Sequence, residues 1–325
     1  MRSIDKLNVS ILLTFFLLIM PLQNTYAVWK GSPVLEEKRA VPLLFFNTDL
    51  YCSSAWLYSS RIVFTAAYVV FNGDDRRNEY TIPRSKVWIG YPGSIIEPKM
   101  KLVESEKIFT PSNFKGRDAW RGGKTITRQN DFAVIVLKEP IPTDDKPVEL
   151  LTPELHDSLI ANNENVYLVG YGKQSPEDLD YCYKRSPMKY SSQITSKVVQ
   201  TGQMIFTSTL NTKVGPMEPN GCDGDSGSGF VKVLPDKYIY LGAMGAGSWM
   251  NHNCNTWDDA KSETSINGSD PVYLFLNLIK QAEDYVKANP YVAPVIKKSI
   301  KCVKENKVIS VRNEFPKCPK GYKQK

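Results

Sequence analysis

Histidine is almost absent from this chain, with two in 325 residues, His156 and His252. Chemistry that requires an imidazole, as general base or as ligand, is confined to those two positions. Metal-ligand spacings and glycine-rich phosphate loops are missing as well, so neither a metal nor another cofactor is expected. No fixed-period repeat occurs, which excludes solenoids and propellers. Beyond the first two dozen residues no segment approaches the roughly 20 continuous apolar residues that a spanning helix needs.

The one long apolar run, "ILLTFFLLIMPL", follows Arg2 and Lys6 and ends near the small residues Thr25 and Ala27. A charged start, an apolar middle and a small-residue end form the layout of a cleavable secretory signal. Residues 1–27 are therefore expected to be a signal peptide, giving a secreted, extracellular or cell-envelope protein that begins at Val28. Export permits disulfides. Six cysteines allow 15 full pairings, so sequence alone assigns none. Cys302 with Cys318 is the economical pair, because both fall in one short tail.

Acidity and basicity are unevenly placed. Beyond Ile296 ten lysines and arginines face Glu305 and Glu314, a net of +8, which leaves −1 of the chain's +7 for the other 296 residues. The body is near neutral and the basic character belongs to residues 290–325. An anionic cell-surface polymer is a candidate partner for that tail. No nucleic acid is expected to bind.

Twenty glycines, twenty-one prolines and many short β-branched or aromatic runs favour an all-β class. "VPLLFFN", "AWLYSS", "RIVFTAA", "KVWIGYP" and "DFAVIVL" form a first strand cluster, about 28–140. After the loop-like "KEPIPTDDKPVELLTPE" comes a second, about 160–275, with "NVYLVGYG", "QMIFTSTL", "SGFVKVL" and "YIYLGAMGAG". Two comparable clusters suggest two barrels. In "PVYLFLNLIKQAEDYVKAN" the period changes, and Leu276, Ile279, Ala282 and Val286 mark one face of a helix over about 276–288. Asn289-Pro290 ends it. The Cys302 to Cys318 segment reads as a small stapled hairpin.

Chemistry concentrates in "NGCDGDSGSGF", residues 220–230. Glycines around a lone serine permit a tight turn whose amides can face a developing oxyanion. Taken alone, the same string suits an ordinary turn. Its context is more specific. "VWKG", "CSSAWLYSSRIVFTAAY", "NDFAVIVL", "VGYG", "CDGDSGSG" and "PVYLFLNLI" occur in the order of the motifs of the chymotrypsin-like (trypsin) serine proteases. Over residues 28 to about 288 the chain resembles that family.

The resemblance implies two antiparallel six-stranded barrels within residues 28–289. It makes Ser226 the nucleophile, the amides of Gly224 and Ser226 the oxyanion hole, and Asp131 the carboxylate that orients the base. It also pairs the Val28 ammonium with Asp225 and Cys222 with Cys254. At the position of the histidine stands Tyr68. A phenol ordinarily keeps its proton until about pH 10, so at neutral pH it is a poor acceptor. Losing the base of such a triad costs on the order of 10⁶ in turnover. About 10³ to 10⁴ over water survives from the oxyanion hole and binding. His156 is expected on a solvated loop between the barrels and His252 at the pocket rim, neither facing Asp131. Val69 replaces the cysteine that usually follows the histidine, which leaves Cys52 to pair with Cys182.

The pocket implied by the family has Asn220 at its base and Gly245 and Gly247 on its walls, with Pro271 nearby. An acidic base for lysine or arginine is absent. Two readings result: an impaired homologue that binds peptide or protein in the cleft, and an unconventional serine endopeptidase or hydrolase that still uses Ser226. The signal reading predicts that amino-terminal sequencing of exported protein starts at Val28. A start well downstream would contradict it.

Overall fold

The computed structural model describes residues 32–33, 39–46, 50–74, 79–84, 86–90, 102–114, 130–172, 192–198, 204–207, 224–245, 266–293, 298–305, 307–313 and 316–325. The chain divides into two units, Met1–Val286 and Lys287–Lys325. Among the described residues no helix is long and apolar enough to cross a membrane.

Short apolar runs form most of the strands of the first half. In chain order these are β1 (Ser32–Pro33), β2 (Ala40–Phe46), β3 (Leu50–Ser59), β4 (Ile62–Thr65), β5 (Phe71–Asp74), β6 (Glu79–Pro83), β7 (Trp88–Gly90), β8 (Leu102–Phe109) and β9 (Ala133–Leu137). β2, β3, β4, β9, β8 and β7 close into a barrel, and β5 pairs with β6 as a separate ribbon. Every residue of β4 and β9 is buried. Strand alternation divides them between two cores. Val63, Ile135, Ala55 and Leu57 turn into the barrel. Phe64, Val134, Val136 and Trp56 point the other way, into a core shared with Phe230, Tyr240 and Phe275. Two-sided burial is why "IVFT" and "AVIVL" read as unbroken apolar runs rather than alternating ones.

The second half contributes β10 (Val148–Leu150), helix α1 (Pro153–Ala161), β11 (Asn165–Gly170), β12 (Ser192–Val198), β13 (Met204–Thr207), β14 (Gly229–Val233), β15 (Tyr238–Ala243), β16 (Ile266–Ser269) and helix α2 (Leu276–Ala288). Where a closed six-stranded antiparallel barrel was expected, the described residues give an eight-stranded sheet. Its order is β10-β15-β14-β11-β12-β13-β16, with β1 against β12. β10 lies parallel to β15, Val148 opposite Tyr238. One added strand comes from the segment expected to be a plain loop. The buried Arg39 guanidinium donates to Asp144 Oδ1 at 2.8 Å and to the carbonyls of Leu57, Tyr58 and Lys146. A buried charge with this many partners holds the connection down, and Val148–Leu150 then runs beside β15.

α1 also departs from the loop expectation. Thr152 Oγ1 accepts from Leu155 N at 3.2 Å, and Pro153 occupies the first turn, which together start a helix. That helix turns His156 and Leu159, three residues apart, into the core. His156 is therefore not a solvated loop residue. It is buried, with Nδ1 3.2 Å from the Tyr273 hydroxyl.

α2 buries Ile279 and Ala282, while Leu276 at its start is 49% exposed. It is tied to the first barrel: the Tyr58 hydroxyl donates to Glu283 at 2.9 Å, and Phe275 stacks on Phe132 at 4.8 Å. In the second unit β17 (Lys298–Lys304), β18 (Lys307–Asn313) and β19 (Lys323–Gln324) form a sheet in the order β18-β17-β19. The Cys302–Cys318 disulfide is formed. The expected hairpin is thus joined by a third strand.

Phe64 carries the packing between the two halves of the first unit, with ring centroids 4.7 Å from Tyr58, 5.2 Å from Phe132 and 5.1 Å from Tyr240. Phe64→Ala is expected to cost about 3–5 kcal/mol of stability, read as a lowered urea midpoint. A loss near that of a surface substitution would show the shared core to be unimportant.

Candidate active site

β4 ends at Thr65, and Ala66 with extended backbone (φ −76, ψ 143) leads into a 3-10 turn over Ala67–Val70. The turn aims the Tyr68 amide at Asp131, whose Oδ1 accepts it at 2.9 Å. Asp131 is buried just ahead of β9, after Asn130 in the left-handed region at φ 59. The Tyr68 hydroxyl reaches the other way and donates to Ser226 Oγ. One residue therefore touches both others, through its backbone on one side and its phenol on the other.

Ser226 stands on a loop bound to the first barrel. Its carbonyl oxygen accepts from Ser54 N at 2.8 Å and from Ser53 Oγ at 2.5 Å. Ser54 Oγ donates to the Gly224 carbonyl at 2.8 Å and accepts from Tyr171 N at 2.8 Å. On the other side Gly227 N donates to Met244 O, and Met244 N to Ser228 O, both at 2.8 Å. Gly224 has φ +91 and Gly227 φ +82, conformations other residues rarely adopt. At Gly227 a side chain is excluded twice over, since a Cβ would lie 2.0 Å from Thr65 Oγ1. Asp225 is fully buried and accepts from Gly172 N at 2.8 Å.

Gly245, expected on a pocket wall, lies against Asp131. A Cβ there would stand 2.5 Å from Asp131 Oδ2. Val28, Asn220, Gly247, His252, Cys182, Cys222 and Cys254 lie outside the described residues, as does the side chain of Cys52. The structure thus brings Tyr68, Asp131 and Ser226 together, with Gly224 and Asp225 on the Ser226 loop.

Three participants escaped the sequence reading. Ser53 and Ser54 were signalled by two adjacent small polar residues inside the apolar strand "LYCSSAWLYS". Alternation sends adjacent side chains to opposite faces, yet both serines are buried, so each needs a partner. The third is Asp270, in "SDPVY", whose Oδ2 accepts from the backbone amide of Asp131 at 3.0 Å. Burial pushes its carboxyl up from 3.8 to about 6; the Asp131 and Asn130 amides oppose this, and the Asp131 charge adds to it. Nothing in the sequence marks it, because its neighbour lies 139 residues away.

Comparison with known families finds that the family model described as Trypsin matches residues 33–259. No curated protein matches the chain.

The raised Asp270 carboxyl fixes a sign for pH dependence. Between about pH 4 and 6 the unfolded chain releases a proton that the folded chain keeps, so this group's contribution falls as pH rises. The change is on the order of 3 kcal/mol. Asp270→Asn, which can still accept the Asp131 amide, should leave thermal stability unchanged near pH 4 and raise it at pH 7.5. An Asn variant with the wild-type pH profile would contradict the assignment.

Proposed function

This chain belongs to the trypsin family, and from that membership we propose that it is a secreted, catalytically impaired homologue of the family's serine proteases that binds peptide or protein segments in its cleft. The observation that carries this reading is the contact between the Tyr68 phenol and Ser226 Oγ. In this reading Ser226 holds the nucleophile position, Asp131 that of the orienting carboxylate, and Tyr68 that of the histidine.

The chemistry of the side chain at this contact matters. A working base accepts the serine proton while its second nitrogen donates to the carboxylate. Here the phenol contacts Ser226 Oγ, and Tyr68 is linked to Asp131 through its backbone amide. A phenol has one oxygen and no second ring donor, so it cannot bridge serine and carboxylate as an imidazole does. The clamp of Ser53 and Ser54 on the Ser226 loop is what supports retained binding, since it keeps the amides of Gly224 and Ser226 available to a ligand carbonyl.

Maturation and specificity complete the proposal. Cleavage after Ala27 frees the Val28 ammonium to pair with the buried Asp225 carboxylate. Asn220 at the pocket base disfavours lysine and arginine. Cys52–Cys182 and Cys222–Cys254 staple the domain, and the basic second unit attaches the protein to an anionic surface. A second reading, a weak unconventional hydrolase using Ser226, draws on the same formed loop. A fluorophosphonate probe separates the two: rapid labelling lost in Ser226→Ala supports the hydrolase, and inertness supports the binder.

If the base alone is lacking, Tyr68→His should raise hydrolysis of a small activated ester by about 10² or more. The gain should vanish in Tyr68→His/Ser226→Ala. A folded Tyr68→His variant no faster than wild type would overturn the reading.

A further inference from the structure

We propose that the open face of the sheet in the second unit is a docking track for a linear, base-free phosphodiester polymer of the polyol-phosphate class, contacted by Lys323, Lys325, Lys301 and Arg312. The inference rests on reading that unit as an attachment part, and it names the face and the ligand chemistry.

Register decides which residues share the face. Val303 is opposite both Val308 and Lys323, Lys301 is opposite Ser310, and Ser299 is opposite Arg312. Lys325 continues the ladder, its amide donating to the Lys301 carbonyl at 2.9 Å. Directly paired residues project to one side, so these eight lie on a common face. The alternate residues, among them Ile300, Cys302, Ile309 and Val311, lie on the other. Cys302 is fully buried there and bonded to Cys318. That second side is covered around Cys302, with Ile300, Ile309 and Val311 half-buried, while Lys304 and Lys307 at its end are exposed. On the first, Lys301, Arg312, Lys323 and Lys325 are all exposed, and Val308 is 57% exposed. No acidic side chain is among the eight, and none of the four cations has an ion pair among the described residues.

The cations are not scattered. With strands about 4.8 Å apart and alternate residues about 6.8 Å apart, they fall on a diagonal. It starts at Lys323, continues along β19 to Lys325, steps to Lys301 on β17 and ends at Arg312 on β18, an α-carbon span of about 17 Å. Val303 and Val308 hold the corner beside it, and Ser299 and Ser310 supply hydroxyls. A stripe one charge wide matches a chain carrying spaced negative charges. A headgroup layer would engage a whole plane, including the apolar corner. The eight residues include no aromatic side chain, so bases have no stacking platform.

The test uses the full chain and a labelled poly(glycerol phosphate), followed by anisotropy over a salt series. Four phosphate contacts predict a slope of log K against log salt near about −3, from roughly 0.7 per contact on a single strand. Replacing the four with glutamine should weaken binding at low salt by about tenfold or more and flatten the slope. Lys307→Gln/Lys320→Gln, two exposed cations outside the eight, should stay within about twofold of wild type. Equal melting temperatures would show that the substitutions leave the fold intact. An oligothymidylate of equal charge should bind no more tightly than the polymer, and phosphatidylglycerol vesicles more weakly. Absence of binding to all three probes would overturn the attachment reading itself. Equal losses in the two variants would leave attachment standing and reject this face. Tighter binding to vesicles or to oligothymidylate would reject the ligand class.

Discussion

Residues 53–57 of β3 and strands β4 and β9 bury both of their faces, and the position of the candidate site depends on that. Their inward residues fill the first barrel, while Trp56, Phe64 and Val134 fill the core shared with the second sheet. Sliding one sheet over the other would expose Phe64 and Trp56, aromatic side chains that each contribute several kcal/mol when buried. The ends of β4 and β9, where Tyr68 and Asp131 stand, are fixed against the sheet that carries Ser226. The bonds from Ser53 and Ser54 to the Ser226 loop finish the placement at the scale of single atoms.

Within this frame three carboxylates are held by backbone amides. Asp225 accepts from Gly172, Asp131 from Tyr68, and Asp270 from Asp131. An amide does not titrate, and it is present whatever side chain the residue bears. The amide link from residue 68 to Asp131 is therefore open to any residue there except proline. In the proposed reading a phenol stands where an imidazole would, and the amide link to Asp131 does not depend on that exchange. Loss of catalysis and retention of a shaped cleft are physically separable here, as the proposed function requires. The 10⁶ in turnover associated with a missing base corresponds to about 8 kcal/mol of transition-state stabilisation, none of which is folding energy.

The sequence disclosed the frame better than its details, for reasons that differ by element. β4 and β9 were legible because two-sided burial leaves continuous apolar runs, and α2 because a partly solvated helix leaves a period. α1 was missed although "TPEL" carries a capping threonine and a first-turn proline; nine residues beside a proline-rich stretch read as loop. β10 is three residues long and exists because Arg39, over a hundred residues earlier, pins the neighbouring backbone. Ser226, Asp131 and Tyr68 were found through motif order. Ser54 and Asp270 act by contacts spanning more than a hundred residues, which no local pattern encodes.

Charge divides the molecule close to the boundary between its units. The body carries about −1 and the segment beyond Ile296 +8, so the two parts select ligands by different physics. A cleft in a near-neutral body discriminates by shape and by hydrogen bonds to fixed amides, which salt hardly alters. A stripe of exposed cations discriminates by charge spacing and weakens as the screening length shortens toward about 8 Å at physiological ionic strength. In the proposed reading, ligands of the cleft respond to substitutions around Ser226 and ligands of the sheet face to salt. The two recognitions so proposed call on different groups, backbone amides in one unit and exposed cations in the other.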